Sequence, residues 1–304
     1  FSGGSLVAYM TPELVAYLGN GNEQLGWQLT MALYGVIAAT LFFITFASTK
    51  ERISPPKHQQ SSVMQDIKDL GNNKPWLVLF VLALVIMLTI SLRASTGTFY
   101  FKYVVERPDL IGSFSMTYLI ALALGAASTP IMMRFFDKKT LLLILMSLVA
   151  VLSAAFYFID KDQIPLMFVT QALIGFFLGP KSPLVFSMYA DTADYSQWKT
   201  GRRATAMVFS AAAFSQKLGG ALAGALIGYL LASMGYVANQ AQSAQSNEGI
   251  VLLMTIIPGV FAVFAVIIIK LYPLSDEKVS ELQAEIFSQE QVDDEALPEG
   301  KVNG

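Results

Sequence analysis

Three basic side chains, Arg93, Lys181 and Lys217, fall inside long apolar stretches of this 304-residue chain. A charge at mid-membrane costs at least ~2.5–3.5 kcal/mol, so each needs a reason to be there. Lys217 lies twelve residues into the stretch 205–232, within AFSQKLGGALAGALIG. Snorkelling from that depth reaches neither interface comfortably. Two readings remain for Lys217: an ion pair that holds helices together, or a group lining a solute or cation path. Arg93 is followed by Ser95, Thr96, Thr98, Tyr100 and Tyr103. Those hydroxyls and rings suit hydrogen bonding to a sugar and stacking on it, and equally an interfacial aromatic belt. Lys181 and Ser182 sit in GPKSP, where Gly179, Pro180 and Pro183 are expected to interrupt a helix and free carbonyls to line a cavity.

The run 190–203, ADTADYSQWKTGRR, puts Asp191 and Asp194 on one helix face, with Lys199, Arg202 and Arg203 close behind. A Mg²⁺-diphosphate site of a membrane prenyltransferase is one chemistry open to an aspartate pair. It requires a second acidic motif facing the first, and the other acid near a span end on that side is Asp137, beside Lys138 and Lys139. The stronger expectation is a charge cluster that pairs with other helix ends in one conformation and breaks in another. A solvated loop explains the bases but not the acids. With no Cys and one His, His58, thiolate and zinc chemistry lack ligands. No resident cofactor or metal is expected, and no enzyme activity. A net charge of −2 and a pI near 5.5 offer nucleic acid no basic surface.

What must position these residues is a set of membrane helices. Eight apolar stretches, 2–18, 25–47, 76–101, 111–133, 140–159, 164–189, 205–232 and 249–269, hold 184 residues but four charges, while the other 120 residues hold 38. About 20 apolar residues cross a ~30 Å hydrocarbon core, and a backbone inside it must bond to itself. The fold class is therefore an all-α polytopic membrane protein. Loops 48–75, 134–139, 190–204 and 270–304 carry 14 Lys and Arg, against 3 in the alternate loops. That bias places the 48–75 loop and the C-terminus in the cytoplasm, in a multi-pass protein of a cell membrane. The expected divisions are 1–47 (two helices), 48–75 (central loop), 76–272 (six helices) and 273–304 (tail). Val63, Ile67 and Leu70 share a face of an amphipathic turn in the loop, and a short helix is expected at 276–287 before disorder. Gly220, Gly224 and Gly228, four apart, form a stripe along which another helix can approach. The chain starts at Phe1 within an apolar stretch, which suggests a fragment of a two-bundle transporter lacking four helices at its front.

The stretch from Ser182 to Leu230 resembles the C-terminal hallmark of the glycoside-pentoside-hexuronide cation symporters, the melibiose permease family of the major facilitator superfamily. NKPW (Asn73 to Trp76), YFKYV (Tyr100 to Val104) and FFDKKTL (Phe135 to Leu141) extend the resemblance along the chain. It implies a major facilitator fold with eight of twelve transmembrane helices present, and cation-coupled (Na⁺, H⁺ or Li⁺) uptake of a sugar or glycoside by alternating access. It also matches Lys217 to the family's helix-eleven lysine, which links sugar and cation sites. Asp191 and Asp194 match its paired aspartates, members of a cytoplasmic gate that here would include Lys199, Arg202, Arg203 and Asp137. Lys217, Arg93, Tyr100, Lys181 and Ser182 are the expected substrate-binding wall. The family's main cation- and sugar-binding acids lie on helices that precede Phe1. The WKTGRR loop leans towards xyloside and glucoside carriers within the family. Expected partners are a small sugar or glycoside, a monovalent cation and membrane lipid, in a bacterial inner membrane. A lysophospholipid carrier, or a non-transporting receptor of the same fold, are the alternatives.

Overall fold

A computed structural model describes residues 2–49, 63–203 and 205–295. Among them the regular structure is helical throughout: α1 (Ser2–Gly19), α2 (Glu23–Ser48), α3 (Val63–Gly71), α4 (Lys74–Phe99), α5 (Ile111–Met132), α6 (Lys138–Phe156), α7 (Ile164–Leu178), α8 (Lys181–Thr200), α9 (Thr205–Ser233), α10 (Ala244–Met254), α11 (Ile256–Lys270) and α12 (Asp276–Glu295). A π-helical turn, Tyr100–Val104, prolongs α4. Six helical runs are long and apolar enough to cross a membrane: Glu23–Ser48, Lys74–Val104, Pro108–Met132, Lys138–Phe156, Ile164–Thr200 and Ala244–Lys270. The other two expected spans are also helices, α1 and α9, but fall outside those six. The first is continuous but carries Pro12 and Glu13 among its apolar residues, and the second mixes Gln216 and Lys217 with Ala, Gly and Ser.

The chain forms two compact units, 1–60 and 61–304. In the first, α1 and α2 make a hairpin. Asn22 caps α2 by accepting from the Leu25 amide at 3.1 Å, and Thr11 and Tyr34 share a hydroxyl hydrogen bond.

In the second unit α4 packs against α9, α11, α10 and α8, while α5 pairs with α7 and α6 with α11. The α4–α9 contact depends on Gly219, where a Cβ would run into the Leu84 carbonyl. Beside it Ser215 donates to the Phe80 carbonyl at 2.5 Å. The buried stripe of α9 is thus Val208, Ala212, Ser215, Gly219, Ala223, Ile227 and Leu231, which corrects the expected stripe. A Cβ at Gly224 or Gly228 meets nothing within 4 Å. Successive helical residues point about 100° apart, so a slip of one position moves the packed face well round the helix.

Other expectations change at the margins. Gly179 and Pro180 do break α7 from α8, yet both keep right-handed helical angles, and a Cβ at Gly179 would strike the Leu122 carbonyl of α5. The break is a kink packed on a neighbour, not an opened backbone lining a cavity. In α3, Leu70 is buried while Ile67 is exposed; His58, Pro55 and Pro56 lie outside the described residues. The tail helix continues to Glu295, beyond the expected 287. Val279 and Leu282 bury its first turns, and Gln and Glu, good helix formers, carry it on.

Candidate functional site

Lys217 projects from the exposed side of α9, the side bearing Gly224 and Gly228. Among the described residues it makes no hydrogen bond or ion pair. One residue earlier, Gln216 joins Lys181 and Ser182 in a shallow notch between α4, α8 and α9, open on one side and with a free volume of about 20 Å³. Ala83, Ile86 and Met87 of α4 form one wall, and Val185 and Phe186 of α8 another. Phe186 is stacked on Phe209 at 6.2 Å, with 18° between the rings. Lys181 is half-buried and, like Lys217, has no hydrogen-bond or ionic partner among the described residues. The polar lining of the notch is an ammonium, a hydroxyl and an amide, around a space of the size of one water.

The structure does not bring Arg93 and Tyr100 to that notch. Arg93 is 5% exposed. Its Nε and Nη2 donate to Oε1 of Gln171 at 3.1 and 2.8 Å, and its Nη1 donates to the Met254 carbonyl at 2.9 Å. The guanidinium lies 5.0 Å from the centre of the Phe156 ring. That carbonyl ends α10, because Thr255, at φ −122° and ψ −79°, leaves the helical path before α11 starts. Arg93 therefore pins α4 to α7 and to the α10–α11 break. Tyr100 is buried in the same interior against Phe101 and Phe156. Tyr103 sits near the far end of the bundle: its hydroxyl is 3.2 Å from that of Tyr236 and accepts from the Asn239 amide at 3.1 Å. Burial, the largest influence, and the Tyr103 hydroxyl together push the Tyr236 phenol up to about 12.

At the opposite end the charges interlock. Lys138 of α6 bridges Asp191 of α8 at 2.5 Å and Asp276 of α12 at 3.4 Å. Asp194 holds Arg203 at 2.7 Å and accepts from Gln283 of α12 at 2.8 Å. Arg202 meets Asp66 of α3 at 2.5 Å and Asp69 at 3.6 Å. Lys199 donates to the Asn72 carbonyl at 3.1 Å, Asn73 donates to the Thr192 carbonyl at 2.8 Å, and Trp198 donates to Glu285 at 2.6 Å. All these groups belong to the second unit. Asp137 stands apart, which corrects its expected place in the cluster. It caps its own helix, α6, by accepting from the Thr140 amide at 3.1 Å. Slight burial pushes its carboxyl up, but the bonds from Thr140 outweigh that and hold it below the usual carboxylate value. An aspartate one residue before a helix meets that helix's free amides first.

The profile of the family described as "MFS/sugar transport protein" matches residues 1–276. The chain belongs to this family. Relatives of the same group include the "Uncharacterized symporter YnaJ" of Bacillus subtilis, 32% identical over 95% of this chain and 63% of its own length. The "Inner membrane symporter YicJ" of Escherichia coli is 31% identical over 89% of this chain and 59% of its own. The "Isoprimeverose transporter" of Lactiplantibacillus pentosus is 32% identical over 82% and 52%. The chain thus spans about three-fifths of the length of the first two. The chain is a multi-pass membrane protein of the major facilitator fold, and the relatives it matches are named as symporters and transporters, not as enzymes. Sequence reasoning about it missed Lys138, Asp66, Asp69, Asp276, Gln283 and Gln171. Gln171 alone carried a local signal, an amide within an apolar stretch; the others pair across more than 50 residues of chain.

Proposed function

We propose that this chain forms the greater part of a symporter that couples entry of a sugar or glycoside to Na⁺ or H⁺ by alternating access. The observation that carries the reading is Lys217, a cation without a described partner on the open side of a family helix, next to the notch of Lys181, Ser182 and Gln216. Two relatives bear names that support the solute class: a "Putative glycoside/cation symporter" and an "Isoprimeverose transporter". The main cation-binding acids belong, on this reading, to helices ahead of Phe1. The 14-to-3 bias of Lys and Arg supports a cytoplasmic position for the charged end, for the 48–75 loop and for the C-terminus, in a bacterial inner membrane.

The mechanism follows from coupling. Solute and cation must favour the same conformations, so that neither crosses efficiently alone. In the reading proposed here, Lys217 communicates between the two ligands, and Asp191, Asp194, Lys199, Arg202 and Arg203 act as a clamp. On this reading they are a cytoplasmic gate: the pairs that hold the ends of α3, α6, α8 and α12 together form in one conformation and break in the other.

Counterflow of radiolabelled glycosides by the full-length protein in proteoliposomes, with and without Na⁺ or a pH gradient, tests this. Exchange of a glycoside, accelerated by one of the two cations, is the expected result. Failure to exchange any glycoside under either cation would overturn the symport reading.

A further inference from the structure

Tyr272, two residues past the end of α11, is 2% exposed. Its hydroxyl is buried and has no hydrogen-bond partner among the described residues, a state that costs free energy and calls for a reason. Asp69 Oδ2 and Arg202 Nε, also orphaned at this end of the molecule, lie 3.6 Å from each other; the Tyr272 hydroxyl has no such counterpart. It stands within electrostatic reach of Asp191 and Asp276. Burial, the largest cause, and those two carboxylates push the phenol up, so it keeps its proton and stays a donor. The carbonyl of the same residue accepts from Lys139 Nζ at 2.5 Å. Lys139 adjoins Lys138, the cation that holds Asp191, and α6 packs on α11. One body, α6 with the end of α11, thus carries two donors near Asp191 of α8, and one of them is idle.

Resting on the gate reading above, we infer that Tyr272 is a positioning residue of the transport cycle: its hydroxyl is the partner that Asp191 takes when the pair with Lys138 breaks. Without a replacement, breaking that pair would strand a carboxylate that is 6% exposed, and an uncompensated buried charge is the costly outcome. Lys138 would not be stranded. Asp276 already lies 3.4 Å from its ammonium and accepts from its backbone amide at 3.2 Å. Exchange of partners therefore leaves neither charge bare. Asp191 has an ammonium in one state and a charge-assisted hydrogen bond from a phenol in the other. Arg203, the nearest cation along the chain from α8, is taken by Asp194. An element satisfied in each of two positions is what makes a gate bistable instead of merely breakable.

The test uses the full-length protein and Tyr272→Phe, which keeps the ring that fills the space and removes the hydroxyl. In proteoliposomes the variant is expected to slow glycoside counterflow roughly tenfold, the scale of one hydrogen bond to a charged group. The glycoside concentration for half-maximal exchange should stay within about twofold of wild type. In an Asp191→Asn background the same substitution should change the rate by less than about twofold, because the charge it serves is gone. In detergent, Tyr272→Phe should melt no lower than wild type, since the hydroxyl has no bond to lose while Lys138 holds Asp191. Three results would overturn the inference: an unchanged exchange rate in Tyr272→Phe, an equal fall that persists in the Asp191→Asn background, or a melting temperature lowered as much as by Asp191→Asn. The last would mean that the hydroxyl already has a partner, and it needs no transport to be read. Absence of all exchange by the wild-type protein defeats the symport reading instead, and the melting comparison then decides on Tyr272.

Discussion

Arg93 and Lys217 are both cations within apolar helices, and their surroundings assign them opposite tasks. Arg93 spends its donors on Gln171 and on the Met254 carbonyl, so the bundle interior is built around it. Lys217 has no described partner and faces outward. Gln171→Leu should therefore damage the fold, because two guanidinium donors lose their acceptor inside the bundle; losing hydrogen bonds to a buried charged group costs about 1.5–3 kcal/mol. Lys217→Ala should leave membrane insertion and the melting temperature of the detergent-purified protein close to wild type but abolish cation-driven accumulation. Thermal melting and uptake, measured on both variants, separate the two tasks. Normal accumulation by Lys217→Ala would place it among structural residues. Sequence made both residues visible, since charge in an apolar stretch is conspicuous. It could not say which one faced inward, because that depends on how each helix is rotated against partners far away in the chain.

The same ambiguity recurs for whole helices. The small residues of α9 were legible, yet Gly219, not Gly220, meets α4, and the stripe Gly220, Gly224, Gly228 looks mostly into open space. Gly219→Ala is expected to lower the melting temperature, since the Leu84 carbonyl would have to move away and Ser215 would lose its bond to the Phe80 carbonyl. Gly224→Ala should cost nothing and is expected to raise stability by up to about 1 kcal/mol, the helix-propensity difference between Gly and Ala at an open position. Equal losses from the two would mean that the α4–α9 register is wrong. Helix existence was read well from apolar length, and the break at Gly179–Pro180 from its prolines. The charged end was legible only by half: Asp191 and Asp194 announced themselves, but Lys138 looked like an ordinary basic flank. Asp137 was misassigned because its capping amide, that of Thr140, lies three residues away within the same short turn.

At the scale of the molecule, the second unit carries a core of its own around α4, and the first is a helical hairpin of two. A two-bundle carrier binds its solute between its halves, and relatives such as YicJ extend well beyond the matched region. Residues 1–304 expressed alone are expected to show no saturable glycoside binding and no cation-dependent uptake, with both partly restored by co-expression of the four further helices that a twelve-helix carrier requires. Calorimetric binding of a glycoside to the purified 304-residue chain would defeat that expectation and confine the site to these residues. The tail helix adds a consequence in time. Asp276, Gln283 and Glu285 of α12 complete the partners of Lys138, Asp194 and Trp198, yet a ribosome makes them long after α6 and α8. At about 5–20 residues per second, the ends of α6 and α8 wait several seconds after their own synthesis for α12 to arrive. A nascent chain stalled before residue 276 would present those ends unfastened, and a protease patrolling the membrane could tell it from a finished one.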